Sequence, residues 1–242
     1  MTFAAAETLN PQDFIDDRPH DGVFRVRHEA FLNPALFDME MARIFESTWV
    51  FVGIESDIAQ PHDFVTTQIG RVPILLTRAA DGTLRGLINS CRHRGTLLCP
   101  LRKGNQRVHV CHYHGWQYSS AGRNLGITGA AAGQYPANFV DDTHDLLPVA
   151  RIASYRGFIF ASLSNDVPTL EAHLGEARIF LDLVADQGPN GLEYVPGTVS
   201  YTFDANWKFQ FENGLDFYHF AATHSSFVQI LRQRPPPSQA CG

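Results

Sequence analysis

No stretch of this 242-residue chain approaches the ~18 apolar residues that a membrane-spanning helix needs. The longest apolar runs, such as Trp49-Val50-Phe51-Val52-Gly53-Ile54, are the size of one strand. Basic residues are also short. Lys and Arg number 19 against 25 Asp and Glu, a formal charge of −6, so the basic surplus of a nucleic-acid binder is missing. The N-terminus, Met1-Thr2-Phe3-Ala4-Ala5-Ala6-Glu7, has neither the basic start nor the long apolar stretch of a secretory signal. These absences predict a cytoplasmic protein that engages no membrane and no nucleic acid. Cysteine is sparse too: four residues in a reducing compartment read as metal ligands or inert core rather than a disulfide framework.

Composition is that of an ordinary globular chain, 44% hydrophobic and 18% charged, which argues against disorder. The length allows one or two domains with a substantial core. Residues 1 to 32 show no clean period and read as an arm. Asn33-Pro34 then opens a helix, with a capping side chain and a proline in the first turn. Phe37, Met41, Ile44 and Phe45 follow at helical spacing and predict its buried face.

From Trp49 the pattern changes to short apolar runs broken by turn residues. Strands are predicted over 49–54, 64–69, 74–77, 84–89, 107–110 and 157–163, with Asp81-Gly82 as a hairpin turn between two of them. Short strands at this spacing predict an antiparallel sandwich or small barrel. Residues 166–190 return to a helical pattern, 193–203 read as one or two strands, and 207–231 as an aromatic-rich helical segment before Arg234-Pro235-Pro236-Pro237. Three regions result: 1–48 as arm and helix, 49–164 as a strand-rich domain, and 165–242 as the beginning of a second domain. There is no internal repeat.

Eleven histidines are unusual, and their positions carry the functional reading. Cys91-Arg92-His93 and Cys111-His112-Tyr113-His114 each offer one thiolate and one imidazole within a few residues. Two thiolates and two imidazoles fit a tetrahedral structural zinc or a Rieske [2Fe-2S] cluster. Zinc sites usually pair cysteine with cysteine and histidine with histidine. Here each knuckle is mixed, which suits a cluster whose two irons differ and to which each loop supplies one ligand per iron.

Cys91-Arg92-His93-Arg94-Gly95 with Cys111-His112-Tyr113-His114-Gly115-Trp116 resembles the Rieske domain of aromatic-ring-hydroxylating oxygenases. The resemblance implies that Cys91 and Cys111 hold the inner iron and His93 and His114 the outer one. Where family members often have proline this chain has His112, read as a bystander, and Trp116 reads as packing over the cluster loop. Arg92 and Arg94 are either solvated loop charge or contacts to the cluster or a redox partner. Cys99 reads as a small buried residue and Cys241 as part of an exposed tail.

Downstream, Asp216-Phe217-Tyr218-His219-Phe220-Ala221-Ala222-Thr223-His224 is a weak signal by itself, since core histidines produce such spacings. It resembles the mononuclear-iron motif of the same family, Asp-x-x-His-x-x-x-x-His, in the family's order. The resemblance implies that His219 and His224 are iron ligands and Asp216 a catalytic relay to a Rieske histidine of the next subunit. Residues five apart differ by ~140° around a helix, so the helix must widen or end near Thr223 for both rings to reach one ion. Asp216 and His219, three apart, share a face, and the carboxylate can accept a hydrogen bond from the ring. A two-histidine, one-carboxylate iron site needs one more carboxylate, and no Asp or Glu follows His224. The chain is therefore expected to be the front part of a longer α subunit.

The implied fold is α+β: an N-terminal all-β Rieske domain followed by the beginning of an α+β catalytic domain of the helix-grip type. The implied function is the large subunit of a terminal oxygenase. Electrons from NADH, through a separate reductase with or without a ferredoxin, pass by the [2Fe-2S] cluster to a mononuclear Fe(II) that uses dioxygen for cis-dihydroxylation or monohydroxylation of an aromatic ring. Glu212-Asn213-Gly214-Leu215-Asp216 resembles members acting on benzoate-like acids, and the family implies a trimer or an assembly with a small β subunit. Two alternatives stand beside it: a Rieske electron carrier, which would leave His219 and His224 idle, and a zinc-stabilised binding module.

Overall fold

The computed structural model describes residues 9–136, 138–188, 193, 195 and 201–233. The chain divides into two compact units, one formed by residues 38–197 and the other by 1–37 together with 198–242.

In the second-named unit, residues read as an arm form an antiparallel hairpin, β1 (Ile15–Arg18) and β2 (Val23–Val26), turning at Gly22 in the left-handed region. A short helix α1 (Glu29–Leu32) follows, and Phe31 stacks on Phe209 with ring centroids 4.6 Å apart. The hairpin escapes a periodicity reading because most of its residues are exposed.

Helix α2 (Pro34–Glu40) begins where the sequence predicts, with the Asn33 side-chain oxygen accepting the amides of Ala35 and Leu36. The predicted buried face needs correction: Leu36 and Met41 are buried, whereas Phe37 and Ile44 are exposed. The cause is a π-type turn over Met41–Phe45, which adds a residue to the turn and shifts the phase of everything after it.

Residues 38–197 hold the strands: β3 (Val50–Ile54), β4 (Asp63–Ile69), β5 (Val72–Arg78), β6 (Leu84–Ile88), β7 (Lys103–Asn105), β8 (Val108–Val110), β9 (Gln117–Ser119), β10 (Asn124–Gly126), β11 (Arg151–Tyr155) and β12 (Phe158–Ser162). They form three antiparallel sheets, ordered β6-β5-β4-β7, β11-β12-β3 and β10-β9-β8. Strand β5 is central. Alternate side chains leave a strand on opposite faces, so Leu75 enters a core with Phe64, Leu87, Trp116 and Tyr118, while Ile74 and Leu76 enter another with Val52, Ile69 and Ile159. Each buried aliphatic side chain contributes about 1.5–3 kcal/mol. The Asp81-Gly82 hairpin forms as predicted, with Gly82 at φ +80 and the Asp81 carboxylate accepting the Thr83 amide.

His109 on β8 is buried edge-on against Phe64, and neither ring nitrogen has a protein hydrogen-bond partner. Burial pushes its pKa down to about 4, so it is neutral at pH 7.

The predicted helix over 166–190 is two helices, α3 (Leu170–Leu174) and α4 (Ala177–Ala185), separated at Gly175, whose φ of +49 stops the first. The predicted segment 207–231 is three: α5 (Trp207–Leu215), α6 (Phe220–Thr223) and α7 (Ser225–Gln233). Of the strands expected over 193–203, residues 201–203 are not strand, and most of the others lie outside the described residues, as do the tail from Arg234 and Cys241. Among the described residues no helix is long and apolar enough to cross a membrane.

Candidate metal centres

The two cysteine–histidine segments sit on two loops, one leaving β6 and one joining β8 to β9. Their backbones follow one pattern. The Gly95 amide donates to the Cys91 carbonyl at 2.9 Å and the Cys91 amide to that of Thr96 at 2.8 Å. In the second loop Gly115 donates to Cys111, and Cys111 to Trp116, each at 2.8 Å. Both glycines lie at φ +72, a conformation that costs a residue with a Cβ about 1–2 kcal/mol. At Gly115 a Cβ would also meet the Thr128 hydroxyl at 2.8 Å. A glycine four residues after each cysteine was the available sequence signal for this pairing.

The loops bring the four predicted residues together as two pairs. Cys91 and Cys111 are buried, 3% and 2% exposed. His93 and His114 lie outward of them, with Nδ1 atoms 3.1 Å apart and ring centroids 4.5 Å apart. Two ring nitrogens so close share either a proton or a cation. Desolvation first, then the charges of His93 and Arg94, lowers the pKa of His114 and favours the neutral, ligating imidazole. Burial pushes the Cys91 thiol up, and the neighbouring Cys111 acts in the same direction. A buried thiolate pair needs a cation to form. Among the described residues no three His, Cys, Asp or Glu side chains are arranged around a single ion. Sulfurs inside and imidazoles outside are the donor set of a centre with two unlike irons, and the residues present fit a [2Fe-2S] cluster.

Several neighbours of this centre carry no motif and are found only in the fold. Tyr118 on β9, fully buried, places its hydroxyl 3.3 Å from Cys91 Sγ while accepting the Arg92 amide at 3.1 Å. Burial, reinforced by the Cys91 sulfur, pushes the Tyr118 phenol well above its usual range. The Thr128 hydroxyl donates to the His114 carbonyl at 2.6 Å. Asn89, 1% exposed, closes the neck of the first loop: its amide group donates to the Cys99 carbonyl and accepts the Cys99 amide, both at 2.8 Å. Trp116 is buried and lies flat against His93, and the Arg92 guanidinium reaches the Thr143 carbonyl at 3.3 Å. Cys99 is buried as expected, and His112 is exposed.

The second predicted constellation lies in the other unit. Helix α5 is capped by the Asn206 side chain and ends at Leu215, because Asp216 turns extended at φ −89, ψ 115. The Asp216 carboxylate accepts the Tyr218 amide at 2.6 Å and the His219 Nδ1–H at 3.1 Å, and these bonds lower its pKa. His219 thereby keeps its other nitrogen free. Helix α6 ends at Thr223, and His224 leaves helical geometry at φ −106, ψ 41. Of the two devices the spacing allowed, the chain ends the helix. The rings of His219 and His224 stand 5.5 Å apart, on either end of α6. An open cavity of about 640 Å³ is lined by Phe203, Phe209, Gln210, Glu212, Asn213, Asp216 and His219. Two imidazoles, one oriented by a carboxylate, fit part of a mononuclear ferrous site.

Residues 48–143 match the Rieske [2Fe-2S] domain, and residues 193–241 match the catalytic domain of ring-hydroxylating alpha subunits. The chain is 44% identical over 221 residues to toluate 1,2-dioxygenase subunit alpha of Pseudomonas putida, covering 91% of this chain and 49% of the relative. It is 45% identical over 233 residues to the anthranilate 1,2-dioxygenase large subunit of Acinetobacter baylyi, covering 96% of this chain and 49% of that one. The chain thus spans 49% of the length of each of these curated relatives. Among solved structures, naphthalene 1,2-dioxygenase of Rhodococcus sp. bound to indole superposes with a TM-score of 0.75 at 37% identity, covering 86% of this chain and 47% of that one. The quaternary ammonium Rieske monooxygenase CntA with L-carnitine gives 0.71 at 26% identity, over 81% of this chain and 54% of that one. The architecture therefore also occurs in a protein whose substrate is not aromatic.

Proposed function

Given that the chain belongs to the family of Rieske-type ring-hydroxylating oxygenase alpha subunits, we propose that it serves a terminal oxygenase acting on an aromatic carboxylate, with electrons supplied by an NADH-dependent reductase. In this reading Cys91 and Cys111 hold the inner iron of a [2Fe-2S] cluster, His93 and His114 the outer one, and His219 and His224 a mononuclear Fe(II). The observation that carries it is the pairing of donors, thiols buried and facing imidazoles 3.1 Å apart, on two loops of one design.

When bound, the metal groups supply one-electron transfer and the activation of dioxygen. The chain's own residues prepare for both. Loop glycines and Asn89 set the donor geometry. Tyr118 donates to the Cys91 sulfur. Asp216 holds the proton on His219 Nδ1, which fixes the tautomer and leaves Nε2 as the donor. In the same reading, as the family resemblance implies, Asp216 relays to a Rieske histidine of the next subunit. A carboxylated substrate is supported by a toluate, an anthranilate and a 2-halobenzoate relative at 42–45% identity, against 37% for a chlorobenzene relative and 35% for a second anthranilate one. A small β subunit and a trimeric arrangement belong to the same proposal.

Metal and sulfide analysis tests it. Anaerobically reconstituted protein should contain about three irons and two acid-labile sulfides and show the low-g signal of a reduced Rieske centre. His219→Ala with His224→Ala should remove about one iron and leave sulfide and signal unchanged. Zinc without sulfide would overturn the cluster assignment, and about three irons retained in the double variant would overturn the assignment of His219 and His224 to the mononuclear iron.

A further inference from the structure

The resemblance accounts for the four donors but assigns nothing to the turn at Asp141–Asp145, which packs behind them. Trp116 is 4% exposed and stacks on His93 with ring centroids 5.0 Å apart and planes 14° from parallel. The indole also meets the ring of His144, at 5.5 Å and 60°. His144 in turn donates a hydrogen bond from Nδ1 to the Asp141 carboxylate at 3.0 Å, and its ring is packed against Phe139 at 4.7 Å. The turn is tied to the first loop as well, because the Arg92 guanidinium donates to the Thr143 carbonyl. One short segment thus braces both cluster loops.

We propose that Asp141, His144 and Trp116 form a positioning stack that fixes the ring of His93 and holds down the reduction potential of the cluster; this rests on His93 being a cluster ligand. The charge argument is direct. A centre of two ferric ions, two sulfides and two thiolates is neutral, and the electron delivered by the reductase leaves it with one negative charge. The π face of Trp116 against His93 favours the more positive, oxidised state. The buried indole also keeps water from that side of the ring, and water would favour the charged, reduced state. Both effects lower the potential. Orientation comes from behind: the carboxylate fixes the His144 ring, and His144 limits how far the indole can tilt.

The test is a dye-coupled redox titration of the reconstituted protein, together with the ring-nitrogen couplings measured by pulsed EPR. Trp116→Leu should raise the reduction equilibrium constant roughly tenfold, which is 59 mV for one electron, and change the nitrogen couplings of one imidazole. His144→Ala, which removes only the support behind the indole, should move both readouts in the same direction by a smaller step. A purely structural role would lower the melting temperature or cluster content and leave the potential of the loaded fraction where it was. Loaded Trp116→Leu with unchanged potential and couplings overturns the inference; if that variant does not load, an unchanged His144→Ala overturns it. Wild-type protein that takes up iron and sulfide without two coupled ring nitrogens would instead remove the ligand assignment beneath it.

Discussion

Removing one oxygen atom tests the inner side of the cluster site. Tyr118→Phe keeps the buried ring and deletes the hydroxyl that lies 3.3 Å from Cys91 Sγ. Once Cys91 is a thiolate the hydroxyl can only donate to it, and hydrogen bonds to charged groups are worth about 1.5–3 kcal/mol. The electron added on reduction makes the sulfur a stronger acceptor, so the bond contributes more in the reduced state. If that difference is about 1 kcal/mol, the midpoint falls by roughly 40 mV in the variant. The fold should lose about 1–3 kcal/mol, because the Arg92 amide loses its acceptor at a part-buried bond. Potentiometric titration followed by EPR measures the first number and urea denaturation the second. A midpoint that stays put or rises, with the cluster fully loaded, would refute the donated hydrogen bond.

Other outcomes follow from the same geometry. Gly115→Ala should destabilise the loaded protein more than Gly95→Ala, by about 1–3 kcal/mol beyond the shared backbone strain, because a Cβ at Gly115 meets Thr128 at 2.8 Å whereas at Gly95 the nearest atom is 3.8 Å away; chemical denaturation of the pair measures the gap. Asn89→Leu breaks the two-point link to Cys99 and leaves its buried amide and carbonyl unpaired, a loss of about 2–4 kcal/mol with poorer cluster retention, read by melting and by iron content. For pH, the Arg71 guanidinium beside Glu46 holds that carboxyl below its usual range. The folded value lies below the unfolded one, so the pair's stabilisation is complete above the unfolded value and is lost as pH falls through the folded one. Glu46→Gln should therefore flatten part of the acid limb of a stability–pH curve while leaving neutral unfolding cooperative. Asp216→Asn should weaken iron binding at His219, where it removes the carboxylate that orients the ring, measured by metal analysis.

About half of the strand positions were legible because alternation along a strand reports burial directly. The runs at 50–54, 63–69, 72–78 and 84–88 have one or both faces in a core, and the pattern shows it. Lys103–Asn105 and Asn124–Gly126, three residues each with none buried, carry no period. Breaks inside helical patterns were hidden for another reason. Hydrophobic spacing does not register a π-type turn at Met41–Phe45 or an extended residue at Asp216, since a few residues of altered backbone leave the composition unchanged. Only the spacing of His219 and His224 required such a departure, and there the need for one was readable beforehand.

The amino-acid order alone supplied the proposed donor set: two thiols and two imidazoles in mixed pairs, then an aspartate and two histidines, because ligand chemistry depends on residue type and short-range spacing. What surrounds the donors was decided by the tertiary structure. Tyr118, Asn89, Thr128 and the Asp141–His144 turn reach the loops from positions up to 51 residues away. Their hydroxyls, amides and rings act only at contact distance, and contact between distant segments exists only once the sheets have packed.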